Sequence, residues 1–382
     1  MELLHICSYY IGNKLYANLI KELSKSEINQ HVFVPLKNDS FTGSNQLPSK
    51  YKTVDYYYKN ILKRYDRFFY FNKTRKQLHV IERSIMSDSK IDFVHAHTLF
   101  SDGGTAYKLH QKYGINYIVN VRNTDINVFY KYGVHLRLFM YKILLNAKAI
   151  IFLSHAYKNQ TLSVLPSYIL NQIENKCYVV PNGIHDYWHE NALIQKNTSI
   201  SKKVKLLFIG SINKNKNLKT VIQACQVLNS RGYNVSLDVI GDGPLEKHCK
   251  ELSNKLNMEK DIIFHGYITD MKSITRVMDN CDIFVMPSFK ETFGLVYIEV
   301  MSRGIPVIYS EGQGIDGFFE NGEVGYSVDP NNSEMLCNVV SKIIKNYNNM
   351  SQNCLKRANK FQWKNVAEKY QKLYLEGKIN ER

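Results

Sequence analysis

Two glutamates spaced eight residues apart are the side chains of this sequence best placed to do chemistry. Glu291 and Glu299 form an E-x7-E pattern after the apolar run from Ile283 to Met286 and a loop containing proline, serine and glycine. A small residue at Gly294 lets a ligand approach the backbone. The N–H groups at the predicted helix start can hold a phosphate, and they belong to Phe293, Gly294 and Leu295. The pattern predicts a site for a phosphate-bearing ligand; the alternative is a solvated helix glutamate and a helix-start carboxylate.

These residues lie within a regular alternation of short apolar runs and helix-length amphipathic stretches, which is typical of parallel βαβ units. The first half contains the runs Glu2 to Cys7, His31 to Pro35, Asp92 to His95, Tyr117 to Val121, Ala149 to Leu153 and Tyr178 to Val180. The second half contains Val204 to Ile209, Ser236 to Ile240, Ile262 to His265, Ile283 to Met286, Val307 to Tyr309 and Tyr326 to Val328.

A polar stretch interrupts this alternation and sets the predicted domain boundary. We predict an N-terminal Rossmann-like domain over 1–188, a linker over 189–203 and a C-terminal Rossmann-like domain over 204–360. A final helix over 361–382 is predicted to pack back on the first domain. Its apolar positions are Val366, Tyr370, Leu373 and Leu375.

Composition excludes several classes of protein. The 382 residues are 44% hydrophobic and 22% charged, values that exclude a disordered, collagen-like or coiled-coil chain. The net charge of +16 predicts an acidic partner. The N-terminal residues show no basic leader with an apolar core, and the most apolar window, 136–153, is interrupted by cations, so we expect a cytoplasmic protein without a membrane span. The seven scattered cysteines fit reduced, buried thiols.

Residues 51–83 combine many cations with many aromatic side chains. This basic aromatic stretch is suited to an anionic lipid surface. A solvated basic loop whose aromatics cover the core remains the alternative. Nucleic-acid binding is disfavoured, because no RNP, zinc-finger or helix-turn-helix signature accompanies the charge.

The wider motif around the two glutamates, P-S-x-x-E-x-F-G-L…E-x-M-x-x-G-x-P-V over 287–307, resembles the signature of GT4-type retaining glycosyltransferases. Further pieces fall in the family's order: Phe208-Ile-Gly210 followed by Lys216, Gly241-Asp-Gly-Pro244, Phe264-His-Gly266, Pro181-Asn-Gly-Ile184, and more loosely His95-Ala-His97 and Ser154. The resemblance implies an α/β protein of the GT-B fold, with two Rossmann-like domains facing one another across a cleft.

The resemblance also implies roles for individual residues. Glu299 would bind the ribose of a nucleotide sugar, Glu291 the transferred sugar, and Lys216 the donor diphosphate, with His97 as a further catalytic residue. The N–H groups near Gly294 would hold the distal phosphate. No metal or other cofactor would be required, since lysine and a helix start can stabilise the charge that grows on the leaving diphosphate.

Three positions depart from the family pattern. Ser211 stands where the family usually has an arginine, and Lys214 could substitute for it as a point charge. A single glycine, Gly12, stands in place of a glycine pair. Arg122 and Asp125 stand where a His-Gly stretch is usual, which makes them candidates for contacts in the cleft. Gly241 and Tyr267 occupy places where the family meets the nucleotide.

The predicted function is transfer of a hexosyl or N-acetylhexosaminyl group, from a UDP-sugar rather than a GDP-sugar, to a glycan acceptor in cell-surface polysaccharide biosynthesis. Capsule, O-antigen, exopolysaccharide and teichoic acid are the classes considered. We expect a lipid-linked acceptor at the inner face of the cell membrane, reached through the basic aromatic stretch; a soluble acceptor is the alternative. A nucleotide-sugar isomerase and a non-catalytic sugar-nucleotide or lipid-binding protein are the alternatives from other classes. The sequence leaves the sugar, acceptor, linkage and oligomeric state open.

Overall fold

The computed structural model describes residues 1–67, 69–193, 196 and 203–379. The chain forms two compact units. The first comprises Met1–Leu153, Lys158–Asn182 and Trp363–Arg382, and the second Ser154–Tyr157 and Gly183–Gln362. Phe68 of the basic aromatic stretch, residues 194–195 and 197–202 of the predicted linker, and the last three residues of the predicted final helix lie outside the described residues.

The first unit is built on a seven-stranded parallel sheet of order β3-β2-β1-β4-β5-β6-β7. Its strands are β1 Glu2–Ile6, β2 Asn29–Leu36, β3 Val54–Asn60, β4 Phe93–Ala96, β5 Asn116–Asn120, β6 Ala149–Phe152 and β7 Cys177–Val179. The central strands are buried along nearly their whole length. Continuous apolar runs suit this position, because helices cover both faces of a parallel sheet.

The second unit is built on a six-stranded parallel sheet of order β10-β9-β8-β11-β12-β13. Its strands are β8 Lys203–Ile209, β9 Asn234–Ile240, β10 Ile262–Gly266, β11 Ile283–Val285, β12 Val307–Ser310 and β13 Gly325–Val328. Strands β8 and β11 are neighbours, so the loops that follow them leave the sheet side by side. These two loops carry the residues with the strongest sequence signal.

In the described part of the chain, fourteen α-helices connect and follow the strands. They are α1 Leu15–Leu23, α2 Tyr70–Ser84, α3 Gly103–Tyr113, α4 Arg137–Asn146, α5 His155–Ser163, α6 Ser167–Ile173, α7 Asp186–Glu190, α8 Leu218–Ser230, α9 Glu246–Lys255, α10 Met271–Asp279, α11 Leu295–Met301, α12 Ser333–Lys345, α13 Tyr347–Ala358 and α14 Trp363–Ile379. Single-turn 3₁₀ helices lie at Tyr10–Gly12, Asp39–Phe41, Arg64–Arg67, Val134–Leu136, Glu174–Lys176 and Asn359–Phe361, and a π-helical segment at Asp125–Tyr130. None of the helices in the described part of the chain is both long and apolar enough to cross a bilayer.

The last helix, α14, packs into the core of the first unit. The Tyr374 hydroxyl and His95 Nδ1 are 2.8 Å apart, and Asn120 Nδ2 donates a 2.9 Å hydrogen bond to the Tyr370 hydroxyl. Leu375, one of the apolar positions in the sequence pattern, is instead 56% exposed. The helical period turns Tyr374 inward and Leu375 outward.

Two features differ from the expectations. The basic aromatic stretch forms strand β3 and helix α2, and β3 is an edge strand that the apolar pattern did not indicate. The chain passes between the units at 182–183, before the polar stretch predicted as a linker. The described part of that stretch is bonded within the second unit: Arg303 donates to the Asn191 carbonyl oxygen, and Lys196 to that of Cys281.

Candidate functional site

The loop between β11 and α11 carries Glu291, and its shape depends on a glycine. Gly294, directly before α11, has φ of +78°. A Cβ on it would lie 2.6 Å from the Tyr297 ring, and the Tyr297 hydroxyl donates a 2.6 Å hydrogen bond to the Met286 carbonyl oxygen. Because the ring is anchored to the strand end, only glycine fits at this turn. The helix start is thereby held beside the end of β11.

Glu291 and Lys216 form an ion pair between the loops that follow β11 and β8. Lys216 Nζ lies 2.5 Å from Glu291 Oε2, and the two side chains are 22% and 14% exposed. The Glu291 backbone is held on both sides, since its N–H donates to Gln313 Oε1 at 3.0 Å and its carbonyl oxygen accepts from the Gly314 N–H at 2.8 Å. The structure thus brings together two of the predicted site residues and fixes one of them by its backbone.

Asn215, which the sequence analysis missed, joins the same two loops. Its Nδ2 donates to the Lys290 carbonyl oxygen and its Oδ1 accepts from the Lys290 N–H, both at 2.9 Å. Its own carbonyl oxygen accepts from the Phe289 N–H at 2.8 Å. Three hydrogen bonds from one residue therefore set the distance between the loop of Lys216 and that of Glu291.

Asn217 anchors the other side of Lys216. It has φ of +60°, a left-handed conformation that asparagine tolerates better than most residues, and it directly precedes α8. Its Nδ2 donates to the Pro287 carbonyl oxygen at 3.1 Å and to that of Pro330 at 2.6 Å. The Asn-Lys-Asn run after a predicted strand was the sequence signal that could have identified both asparagines as positioning residues.

Gly241, at the end of β9, has φ of +132°. A Cβ on it would lie 2.1 Å from the Gly210 carbonyl oxygen at the end of β8. Ser211 follows that strand, and its hydroxyl accepts a 3.2 Å hydrogen bond from Asn213. Lys214 is exposed and makes no ion pair within the described part of the chain.

Glu299 lies one turn inside α11 and is partly buried. Burial raises its pKa to about 7, and a hydrogen bond with Trp188 acts in the opposite direction. Trp188, on α7, is a second residue that the sequence analysis missed. The structure therefore links Glu299 to an indole, whereas Glu291 is linked to a cation.

The remaining predicted residues of the second unit have distinct surroundings. Phe293 is buried, with its ring centroid 5.5 Å from that of Phe318 and 5.8 Å from that of Phe361, so it anchors the glutamate loop. Leu295 is partly buried at the first position of α11. Tyr267, directly after β10, is 72% exposed.

In the first unit, His97 belongs to a buried cluster of three histidines. Its Nε2 lies 3.0 Å from Nδ1 of His5, and its ring stacks on that of His95 with centroids 3.9 Å apart. Burial, and then the neighbouring imidazoles, lower the His97 pKa well below its usual range, so the ring is neutral. His97 has no exposed surface, and its Nδ1 makes no hydrogen bond within the described residues.

The three histidines could together offer ligands to a metal ion, because one ring nitrogen from each lies within 4.8 Å of the others. Hydrogen bonds already engage most of these nitrogens. His5 Nε2 contacts Gln30, while the two nitrogens of His95 contact Tyr374 and Asn120. A metal ion would have to displace this network, which fits a structural role for His95.

Asp125 and Arg122 shape the loops at the carboxyl end of the first sheet. Asp125 is buried and accepts hydrogen bonds from the N–H groups of Leu99, Phe100 and Arg122, at 2.8 to 3.0 Å. The Asp125 carboxylate is therefore engaged in hydrogen bonds within the protein. Arg122 Nε donates to the His97 carbonyl oxygen at 3.3 Å, and its guanidinium lies 5.6 Å from the Tyr16 ring centroid.

Gly12 lies in a 3₁₀ turn after β1, and a Cβ there would meet nothing within 4 Å. The conformation of the chain does not require glycine at this place. In this respect Gly12 differs from Gly241 and Gly294, which close contacts restrict to glycine.

Two family sequence models match the chain in succession. The model described as "Glycosyltransferase Family 4" matches residues 13–186, and the one described as "Glycosyl transferases group 1" matches residues 190–361. The chain belongs to the GT4-type glycosyltransferases. The second match contains the loops of Lys216 and Glu291.

Curated relatives are similar over different lengths. The uncharacterized glycosyltransferase MJ1178 of Methanocaldococcus jannaschii is 26% identical over 365 residues, which are 94% of this chain and 92% of that protein. MJ1607 of the same organism is 24% identical over 54% of this chain and 55% of that protein. The Staphylococcus aureus capsular polysaccharide biosynthesis glycosyltransferase CapM is 29% identical over 53% of this chain and 56% of its own length. The chain thus spans about half the length of two of these three relatives.

Solved structures share the fold over the whole chain. The lipopolysaccharide outer core galactosyltransferase WaaB, in its apo form, is 16% identical with a TM-score of 0.73, covering 98% of this chain and 99% of its own. HepE from Anabaena, solved with UDP and glucose, is 16% identical with a TM-score of 0.65, covering 97% and 98%. The predicted α/β fold of the GT-B type is confirmed.

Proposed function

We propose that this protein is a retaining glycosyltransferase that moves a hexosyl or N-acetylhexosaminyl group from a nucleotide diphosphate sugar to a glycan acceptor in cell-surface polysaccharide biosynthesis. The observation that carries the proposal is the Lys216–Glu291 ion pair between two adjacent strand-end loops. Ligands of parallel α/β sheets bind at the carboxyl ends of their strands. The name of the relative CapM supports the polysaccharide class.

The ion pair supplies two groups that the reaction needs. As the bond between the sugar and the diphosphate breaks, negative charge grows on the leaving group, and the Lys216 ammonium would stabilise it. Glu291 would then accept hydrogen bonds from hydroxyls of the transferred sugar. The N–H groups of Phe293, Gly294 and Leu295 would hold the distal phosphate. In this division of roles the Lys216 ammonium and the helix-start N–H groups stabilise the leaving diphosphate without a metal ion.

Glu299 would accept hydrogen bonds from the ribose hydroxyls of the nucleotide sugar. Its carboxyl group is partly buried beside Trp188, so a bound hydroxyl group would be shielded from water. We propose UDP rather than GDP as the nucleotide of the donor. In support, HepE, which has the same fold, was solved with UDP.

The donor is tested by thermal stability of the purified protein with UDP, GDP, ADP and their sugar conjugates, with EDTA present. A ligand at 100 times its dissociation constant adds about 2.7 kcal/mol to the folded state. Selective stabilisation by one nucleotide is expected. A lack of stabilisation by all of them would contradict the proposed donor site.

Transfer itself is tested with Glu291→Gln. This variant should lower the rate of sugar transfer on the order of 100-fold, because it removes the charge that pairs with Lys216 and replaces one of the two acceptor oxygens with an amide donor. Glu259→Gln, at an exposed position of the same unit, is the matched control. If Glu291→Gln transferred sugar at the wild-type rate, the catalytic site would lie elsewhere. An NMR spectrum of the first product would show whether the anomeric configuration is retained.

We further propose that the acceptor is lipid-linked and that the first unit contacts the inner face of the cell membrane. Tyr65, Phe69 and Phe71 are 50%, 62% and 55% exposed, beside the exposed cations Arg64 and Arg75. Exposed aromatic rings next to cations suit an anionic bilayer surface.

Membrane contact is tested by flotation with vesicles. Recovery should be higher with anionic vesicles than with neutral ones, and Phe69→Ser/Phe71→Ser should abolish the difference. Tyr168→Ser, at another exposed aromatic position, is the control. Equal recovery of the wild type with both vesicle types would remove the electrostatic argument.

A further inference from the structure

A cavity of about 160 Å³ lies at the carboxyl end of the sheet in the first unit. Four of its lining residues come after four neighbouring strands, and they are Ser8 after β1, Lys37 after β2, Leu62 after β3 and Ser101 after β4. Its volume is several times the ~30 Å³ that one water molecule occupies in the liquid. The cavity therefore has room for a small polyatomic group at a place where parallel sheets bind ligands.

Three lysines line this cavity: Lys37, Lys63 and Lys73. Lys37 and Lys63 are exposed, whereas Lys73 is partly buried on α2. None of the three makes an ion pair within the part of the chain that the structure describes. Burial lowers the pKa of Lys73, the charge of Asp102 raises it, and the charge of Lys37 lowers it, so Lys73 interacts with a carboxylate as well as with a second cation.

The acidic groups near these lysines make hydrogen bonds to other residues, while the charges of Asp102, Asp125 and Asp66 still act on Lys73. Asp66, which also lines the cavity, accepts hydrogen bonds from Lys76 Nζ at 3.0 Å and from the Lys63 N–H at 2.6 Å. Asp102 is buried, and it accepts from the Ser8 N–H at 3.0 Å and from the Ser8 hydroxyl at 2.5 Å. The lining consequently holds three lysines against one carboxylate that is already bonded to Lys76.

The remaining walls of the cavity are partly aromatic. The Tyr70 hydroxyl donates to the Phe100 carbonyl oxygen at 2.8 Å, and the Phe129 ring stacks on that of Phe100 with centroids 5.1 Å apart. Aromatic faces lower the local dielectric constant, which makes each lysine charge act more strongly. Lysine ammonium groups suit phosphate as point charges, and three of them match a diphosphate better than a single carboxylate.

We propose that this lysine cavity, defined by Lys37, Lys63 and Lys73, binds a phosphoryl group of the acceptor substrate. The inference rests on the proposed function and names the acceptor class, a phosphate or diphosphate ester. The ester can belong to a lipid carrier or to a water-soluble sugar phosphate. The exposed Phe69 and Phe71 flank Tyr70 of the cavity wall, so a lipid chain would find apolar surface beside the phosphoryl group.

The test is a calorimetric titration of the full-length protein with inorganic pyrophosphate at constant ionic strength, with UDP at saturation to fill the donor site. We expect saturable binding. Lys73→Gln should weaken it by about tenfold or more, because a hydrogen bond to a charged group is lost. Lys142→Gln, which removes the same charge at an exposed position on α4, should leave it unchanged.

A second variant guards against misfolding. If Lys73→Gln does not fold, Lys37→Gln replaces it, since that exposed side chain has no packing role. Unchanged pyrophosphate affinity in a folded lysine variant would overturn the proposal. So would a loss of pyrophosphate binding in Lys216→Gln that the cavity variants do not share. Tighter binding of a dicarboxylate, L-malate, than of pyrophosphate would also overturn it, because the cavity would then not prefer a phosphoryl group.

Farnesyl diphosphate distinguishes the two sources of the phosphoryl group. Tighter binding of farnesyl diphosphate than of pyrophosphate supports a lipid carrier, whereas equal affinity supports recognition of the phosphoryl group alone. The test is separable from that of the proposed function. UDP should still stabilise Lys73→Gln, because the proposed donor site is in the other unit. If the protein binds pyrophosphate at the cavity but transfers no sugar, the cavity proposal is supported and the glycosyltransferase proposal is refuted.

Discussion

The strand-end loops of the two units handle charge in opposite ways. In the second unit the candidate site's cation and carboxylate, Lys216 and Glu291, neutralise each other, and Asn215 holds their loops together. In the first unit the carboxylate of Asp125 accepts hydrogen bonds from backbone N–H groups, and the three lysines of the cavity make no ion pair within the described residues. The second site is thus organised before a ligand arrives, whereas the lysine cavity would be completed by the anion that we propose for it.

The largest expected effect concerns backbone contacts. Gly241→Ala should lower the free energy of unfolding by about 2 to 5 kcal/mol, because its Cβ would collide with the Gly210 carbonyl oxygen and its φ of +132° disfavours alanine. Gly12→Ala, where a Cβ meets nothing, should change it by less than about 0.5 kcal/mol. Urea unfolding followed by circular dichroism measures the free energy of unfolding of both variants. An equal change in the two variants would contradict the steric difference between the two turns.

The next effect tests the organised ion pair. Lys216→Gln should lower sugar transfer on the order of 100-fold, because the charge on the leaving diphosphate loses its partner. Lys260→Gln, an exposed lysine of the same unit, is the control and should transfer at the wild-type rate. If Lys214→Gln proved as harmful as Lys216→Gln, both lysines would contact the diphosphate.

Glu299 should make stability depend on pH. Its pKa is raised to about 7 by burial, above its ordinary value of 4.5, so the folded protein retains a proton that the unfolded chain releases. The contribution of Glu299 to the free energy of unfolding is fully present below pH 4.5 and falls as the pH rises toward 7. Between pH 5 and pH 8 this group should lower the free energy of unfolding of the wild type by on the order of 1 to 3 kcal/mol. The Glu299→Gln variant should not show this decrease.

Urea midpoints of wild type and Glu299→Gln at each pH measure this difference, with Glu259→Gln as the control. Parallel pH profiles for wild type and Glu299→Gln would contradict the raised pKa.

The smallest effect tests how the two loops are held together. Asn215→Ala removes the side-chain hydrogen bonds to Lys290 and should lower donor affinity about fivefold, in line with about 1 kcal/mol for a hydrogen bond. Asn254→Ala, at an exposed position on α9, should leave affinity unchanged. An affinity loss that is equal in the two variants would remove the positioning role of Asn215.

Most of the fold could be predicted from the sequence, because buried parallel strands are nearly continuous apolar runs. Strand β3 could not, since its residues Val54–Asn60 are mostly polar and aromatic and lie at an edge of the sheet. The polar stretch after 188 was interpreted as a linker, although the described part of it is bonded inside the second unit. Its hydrogen bonds go to residues far along the chain, such as Arg303, and no local pattern reveals them.

The site could be predicted in part. The motif indicated Glu291 and Lys216, and the structure pairs them. It could not indicate that Asp125 would be buried and bonded to three N–H groups, because those groups belong partly to the loop after another strand. Asn215 and Trp188 were missed for the same reason, since their partners are distant in sequence.

By itself the sequence determined the alternation of strands and helices, the family and the chemical types of the site residues, because periodicity and motif spacing are local properties of the chain. Only the tertiary structure decided which charges neutralise each other. Lys216 and Glu291 are 75 residues apart and pair because β8 and β11 are neighbours, and Lys37, Lys63 and Lys73 line one cavity because the loops after β2 and β3 lie beside α2. Charge balance at a site depends on distances in space, and folding alone sets them.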